Sequence, residues 1–175
     1  MQKNWYAVYT KQHCERKVSL LLSKKRIENF CPLNYKRSRS LFRKSITFEP
    51  VFNSYVFVKT TDAEIVNLSK NVNGIISLLY WKGKPATIKE EEINAIKEFT
   101  TNYHDISLEK MHAHSKSDLK DDISYVLDGQ ILMIKNKAMK VNLPSLGFTM
   151  IAKVEEQQVM GNQLSFTNPE LIAQS

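Results

Sequence analysis

Phe48-Glu49-Pro50-Val51-Phe52-Asn53-Ser54-Tyr55-Val56-Phe57-Val58-Lys59 decides how this chain folds. From Val51 to Val58 it reads as one strand, and successive side chains of a strand point to opposite faces. One face carries Tyr55 and Phe57, the other Phe52, Val56 and Val58. Both faces are apolar, so both need cover. Helices of the same domain can cover one. The Tyr55/Phe57 face then needs a second layer or a partner. Taken alone, the stretch describes the central strand of an ordinary two-layer core.

Upstream, Trp5-Tyr6-Ala7-Val8-Tyr9 is a short strand with Trp5, Ala7 and Tyr9 on one face and Tyr6 and Val8 on the other. A helix from about His13 to Glu28 follows, with Cys14, Val18, Leu21 and Leu22 as its buried stripe. Arg16, Lys17, Lys24, Lys25 and Arg26 lie on its outer face. The segment from Tyr35 to Lys44 is polar and basic and forms the tip of a long hairpin. Its Lys36, Arg37, Arg39, Arg43 and Lys44 suit a solvated loop and a loop touching nucleic-acid phosphates equally well.

Downstream, Thr61 or Asp62 caps a short helix containing Ile65, Val66 and Leu68. Asn73-Gly74 is a turn, Ile75–Trp81 a strand and Lys82–Pro85 a tight connection. A helix opens through Glu90, Glu91 and Glu92, whose charges suit a helix N-terminus, and turns Ile93, Ile96 and Phe99 inward. The pattern is an α+β unit over residues 1–101: an antiparallel-rich sheet with helices on one face. If the helices take the Val56/Val58 face, Tyr9, Tyr55 and Phe57 share a face that nothing in this unit covers. Such a patch marks a protein-binding site.

Residues 102–121 read as a polar linker without period. From residue 122 to 175 the texture changes to short strands, at Tyr125–Leu127, Gln130–Ile134, Met139–Leu143, Thr149–Val154 and Leu164–Phe166. They suggest a small SH3-like β-barrel serving as an interaction module.

Charge narrows the function. The net charge is +7, but residues 1–60 hold thirteen Lys/Arg against three Asp/Glu, and the remainder is slightly acidic. A basic first third points to a polyanionic partner. No apolar run approaches the ~20 residues of a membrane span, and no signal-peptide core opens the chain, so a cytoplasmic protein is expected. Cys14 and Cys31 read as buried free thiols, and His104, His112 and His114 lack carboxylates or thiolates at ligand spacing, so no metal is expected. No phosphate-binding glycine loop, nucleophile motif or tuned carboxylate pair appears. A binding protein without cofactor, not an enzyme, is the expectation.

The run Glu49-Pro50-Val51-Phe52-Asn53-Ser54-Tyr55-Val56-Phe57-Val58, the Trp5–Tyr9 strand, and Gly74 leading to Tyr80-Trp81 and Pro85-Ala86 resemble the N-terminal domain of NusG-type transcription elongation factors. The resemblance covers about residues 4–100. In style it is similar to the specialised paralogues, RfaH and the UpxY antiterminators of Bacteroidetes polysaccharide operons. Val141–Phe148 resembles later strands of the C-terminal KOW-type barrel, although the usual glycine-containing turn before them is not legible.

The resemblance implies a fold, a partner and a role. The apolar face, here Tyr9, Phe52, Tyr55, Phe57, Trp81, Ile93 and Ile96, would grip the clamp helices of RNA polymerase's largest subunit and oppose pausing and termination. Lys11, Arg16 and Lys17 would meet DNA near the transcription bubble, with the hairpin-tip cations adding to this. A ribosomal protein, a Nus factor or Rho would bind the C-terminal domain. At Ile65–Lys70 the chain departs from the His-Thr-Thr-Thr polymerase contact of RfaH. RfaH-type proteins also hide the polymerase face under a helical C-terminal domain; the β-branched, Gly/Pro-punctuated sequence after Ile123 favours a resting barrel here, and a monomer is expected. The alternative is a general nucleic-acid-binding protein acting without polymerase.

Overall fold

Large apolar side chains on both faces make the first strand the one on which everything else is laid. In the computed structural model, which describes residues 2–37, 46–111, 131–134 and 138–153, β1 spans Asn4–Thr10, α1 Glu15–Lys24, β2 Glu28–Phe30, β3 Leu33–Arg37, β4 Ile46–Pro50 and β5 Tyr55–Thr60. Then come α2 (Asp62–Asn71), β6 (Ile75–Leu78), β7 (Tyr80–Trp81), β8 (Lys84–Pro85), β9 (Thr87–Ile88) and α3 (Glu90–Asn102). The last elements are β10 (Ser107–Lys110), β11 (Ile131–Ile134), β12 (Ala138–Leu143) and β13 (Phe148–Lys153). The class is α+β.

The main sheet runs β2-β5-β1-β6, with β9 also paired to β1, all antiparallel. β1 and β5 pair from Asn4↔Thr60 to Tyr9↔Tyr55. This register puts Tyr6, Val8, Val56 and Val58 on one face, against Val18 and Leu22 of α1 and Ile65 of α2. Trp5, Ala7 and Phe57 share the other face with Ile93, Ile96 and Phe99 of α3. Thr61 caps α2 through a reciprocal capping box with Glu64.

Several boundaries differ from those expected. The central strand begins at Tyr55, not Val51. Residues 51–54 form a turn in which Ser54 has φ +64° and the Tyr55 N–H donates to Phe52 O at 3.2 Å. The turn resets the alternation, so Phe52 joins Phe57 and not Val56 and Val58; the two rings meet edge-on at 5.3 Å. The helix expected over 13–28 stops at Lys24 because Arg26 takes a left-handed conformation, φ +59°. The strand expected over Ile75–Trp81 splits. β6 ends at Leu78, and β7 and β8 form a hairpin whose Lys82 and Gly83 both have positive φ, as a type I′ turn demands. β9 then returns to β1.

A β3–β4 hairpin is present in this region, but the tip expected from Tyr35 starts later: Tyr35, Lys36 and Arg37 are paired in β3. Part of the expected linker is structured: α3 continues to Asn102, and β10 occupies 107–110. Residues 112–121 lie outside the described residues, as do the strands expected at 125–127 and 164–166. What is described of the C-terminal region is an antiparallel sheet, ordered β10-β13-β12-β11.

Two local interactions yield predictions. Gly74 closes the α2–β6 turn at φ +100°, and a Cβ there would lie 2.9 Å from Val18 Cγ2. Gly74→Ala combines a disfavoured φ with overpacking and should cost about 1–3 kcal/mol, read by denaturant unfolding. Glu90 accepts hydrogen bonds from Lys59 Nζ and from Trp5 Nε1 at 2.9 Å, and Lys59 and Lys97 lie over the Trp5 ring. The bonds from Lys59 and then Trp5 hold the Glu90 carboxyl below its ordinary 4.5. A lowered carboxylate contributes stability above its unfolded value and loses it as pH falls through the folded one. The thermal stability gap between the parent chain and Glu90→Gln should therefore narrow as pH drops below 4.5.

Candidate functional site

Tyr9, Phe52, Tyr55, Phe57, Ile93 and Ile96 gather on one side of the sheet, with Trp81 on the separate β7–β8 hairpin, and they are not equally open. Tyr9 and Tyr55 are cross-strand partners with rings edge-on at 5.3 Å. Tyr9 is 38% exposed and Tyr55 half-buried. Burial, and then the neighbouring Tyr9, push the Tyr55 hydroxyl above its usual range. Trp81, at the tip of the β7–β8 hairpin, is 70% exposed, and Tyr80 beside it is also exposed. Phe52, Phe57, Ile93 and Ile96 are buried. The expectation that Phe57 shares an uncovered face is therefore corrected.

Two layers bury them. The first is α3, which turns Ile93, Ile96 and Phe99 onto the sheet. The second is the C-terminal sheet, whose Val141 and Leu143 of β12 and Met150 and Ala152 of β13 belong to the same apolar cluster as Phe52, Phe57, Ile93 and Ile96. Alternation along β12 and β13 turns these four side chains to one side. Phe148 adds an edge-on ring contact with Phe52 at 6.2 Å.

Polar bonds fix this second layer at its margins. The fully buried Glu92 of α3 accepts at Oε1 from the Ser145 hydroxyl (2.7 Å) and the Ser145 backbone N–H (3.2 Å). At the other margin the buried Asn34 side chain clamps Ile106, donating to its O at 2.8 Å and accepting from its N–H at 3.0 Å. The Asp105 N–H donates to Tyr35 O. Charged or polar groups lose solvation when buried, so each must be matched by donors or acceptors in place.

The basic residues fall in two places. Lys11, Arg16 and Lys17 are exposed together where β1 passes into α1. Lys36, on the β3–β4 hairpin, is paired with Glu49 at 2.8 Å. Arg37 ends β3, while Arg39, Arg43 and Lys44 lie outside the described residues.

Sequence reasoning missed two buried carboxylates. Glu15, in the first turn of α1, accepts the Ser54 N–H at 2.6 Å and so braces the turn that aims Phe52. For Glu92 the sequence suggests only an acidic first turn suited to the helix N-terminus. Both sit on inward stripes: Glu15 with Val18 and Leu22, Glu92 with Ile96 and Phe99, at helical spacing. That spacing was the available signal. Near Glu15, the half-buried Cys31 thiol is pushed up to about 11 by burial first and the Glu15 charge second. Among the described residues no His/Cys/Asp/Glu group could hold a metal ion, and no helix is long and apolar enough to cross a membrane.

Residues 3–97 match the family model described as transcription termination factor nusG. A solved structure titled "Domain interaction in Thermotoga maritima NusG" is 20% identical; the match covers 89% of this chain and 99% of that one, with a TM-score of 0.49. A structure titled "Crystal Structure of MjSpt4:Spt5 complex conformation A" is 16% identical over 86% and 99%, with a TM-score of 0.33. No curated protein matches. Because the family model takes in the main sheet and most of α3, more than half of the chain, this protein belongs to the NusG family, whose members act as transcription factors.

Proposed function

We propose that the chain is a non-enzymatic elongation and antitermination factor of the specialised-paralogue type. It would grip the clamp helices of RNA polymerase through Tyr9, Phe52, Tyr55, Phe57, Trp81, Ile93 and Ile96. Holding the clamp closed would oppose pausing and termination, to the extent that the factor binds the closed state better than the open one. Lys11, Arg16 and Lys17, with Lys36, Arg37, Arg39, Arg43 and Lys44, would add sequence-independent phosphate contacts.

One observation carries this reading. The aromatic face is divided between open solvent and a cover supplied by a sequence-distant part of the same chain. A face built only as core would not leave Tyr9 and Trp81 in water beside it. The cover and a pair of helices would compete for the same side chains, so the apparent affinity for polymerase scales with the fraction of molecules whose face is free. Burying the Glu92 carboxylate opposes closure, which keeps the cover reversible. The polymerase-binding unit is taken as residues 1–101. By its pairing β10 goes with the C-terminal unit, which once released is the part to recruit a ribosomal protein, a Nus factor or Rho.

Capture of core polymerase by the full-length chain tests this. Trp81→Ala removes an exposed anchor and should lower capture about tenfold or more, with stability within ~0.5 kcal/mol of the parent. Ser145→Ala removes the hydroxyl donor to the buried Glu92 while leaving the backbone N–H, costs the closed state about 1–3 kcal/mol, and should raise capture severalfold. Transcription through a terminator should give more read-through with the parent chain than without it. Shortened transcripts would overturn the antitermination reading. Nucleic-acid binding with no polymerase capture by any variant would favour a polymerase-independent binder.

A further inference from the structure

The end of α1 opens a second site, on the helical side of the sheet and away from the aromatic face. A cleft of about 470 Å³ lies between the α1–β2 connection and α2. That size fits a small ligand. Lys3, Lys25 and Arg26 line it, and so do the amides of Asn67 and Asn71. Among the described residues, none of these five side chains takes part in an ion pair or hydrogen bond. The carboxylates nearby are partly engaged. Glu64 accepts from the Thr60 hydroxyl at 2.6 Å and from Thr61, bonds that with the nearby Lys3 charge keep it ionised, so Glu64 and Glu28 together form the acidic rim. Lys59 contributes its stem, since its ammonium is held by Glu90 over the Trp5 ring.

Arg26 gives the second indication. It occupies the left-handed position just past the helix, where glycine is the unstrained choice. Its backbone geometry serves the helix end: the Arg26 N–H donates to Ser23 O at 2.9 Å and the Ile27 N–H to Leu22 O at 3.0 Å, so the side chain alone is left over. The guanidinium is exposed at the mouth of the cleft. Arginine and two lysines suit phosphate oxygens. Asn67 and Asn71, four residues apart, share one face of α2 and match the donor–acceptor edge of a base. Ile27 and Leu68 supply an apolar wall for a flat ring.

We propose that this cleft binds a free nucleotide, its phosphates on Lys3, Lys25 and Arg26 and its base against Asn67 and Asn71. The site is independent of the polymerase-binding reading. Titration calorimetry of the full chain with ATP, GTP, inorganic triphosphate and a short single-stranded oligonucleotide tests it. Saturable binding of ATP or GTP is expected, tighter than triphosphate alone. Arg26→Gly relaxes the backbone, so the variant should melt no lower than the parent while losing about tenfold or more in nucleotide affinity, as removal of a charged hydrogen-bonding group predicts. Asn67→Ala should narrow the difference between nucleotide and triphosphate. No saturable nucleotide binding, affinity unchanged in Arg26→Gly, or binding of the oligonucleotide alone would each overturn the proposal.

Discussion

The six-residue pairing of β1 with β5 is the constraint on which the rest of the molecule depends. Its register decides which side chains meet α1 and α2 and which meet α3 and the C-terminal sheet. Because the side-chain period is two, a slip of one residue would exchange the two sets. Val56 and Val58 would then lie where the aromatic face is. Burial on both faces makes such a slip costly, since each fully buried side chain of this kind contributes about 1.5–3 kcal/mol.

From that register follows the packing at the aromatic face. Phe52 reaches it only because the turn at residues 51–54 is held, and that turn is braced by the Glu15 carboxylate. Phe57 reaches it by alternation alone. The C-terminal sheet contributes an apolar side against both, while its bond to α3 runs through a buried carboxylate and a serine. The chemistry is asymmetric. The apolar seam favours closure in water, whereas Glu92 regains hydration on opening. On the function proposed here, such a cover would hold in solution and yield to a partner that offers more apolar area.

Much of the fold was legible because it rests on short-range rules. The β1 alternation, the stripe of Val18 and Leu22, the Thr61 cap, the Asn73-Gly74 turn and the β3–β4 hairpin are all present. The errors lie where one residue interrupts a period. Ser54 breaks the central strand, Arg26 stops the first helix early, and Lys82-Gly83 turns one expected strand into a hairpin. Counting alternation across such a residue reverses every assignment beyond it, which is how Phe52 came to be placed with the valines.

The sequence by itself determined the class of fold, the apolar character of both faces of β5, and the basic bias of the first sixty residues. These follow from side-chain chemistry and its spacing along the chain. Only the tertiary structure decided what covers the aromatic face, because Phe52 and Met150 stand about a hundred residues apart and no local rule pairs them. It also decided the state of two glutamates. Whether a carboxylate on an inward stripe is solvated or buried turns on where its donors, Ser54 and Ser145, are brought, and long-range packing alone brings them there.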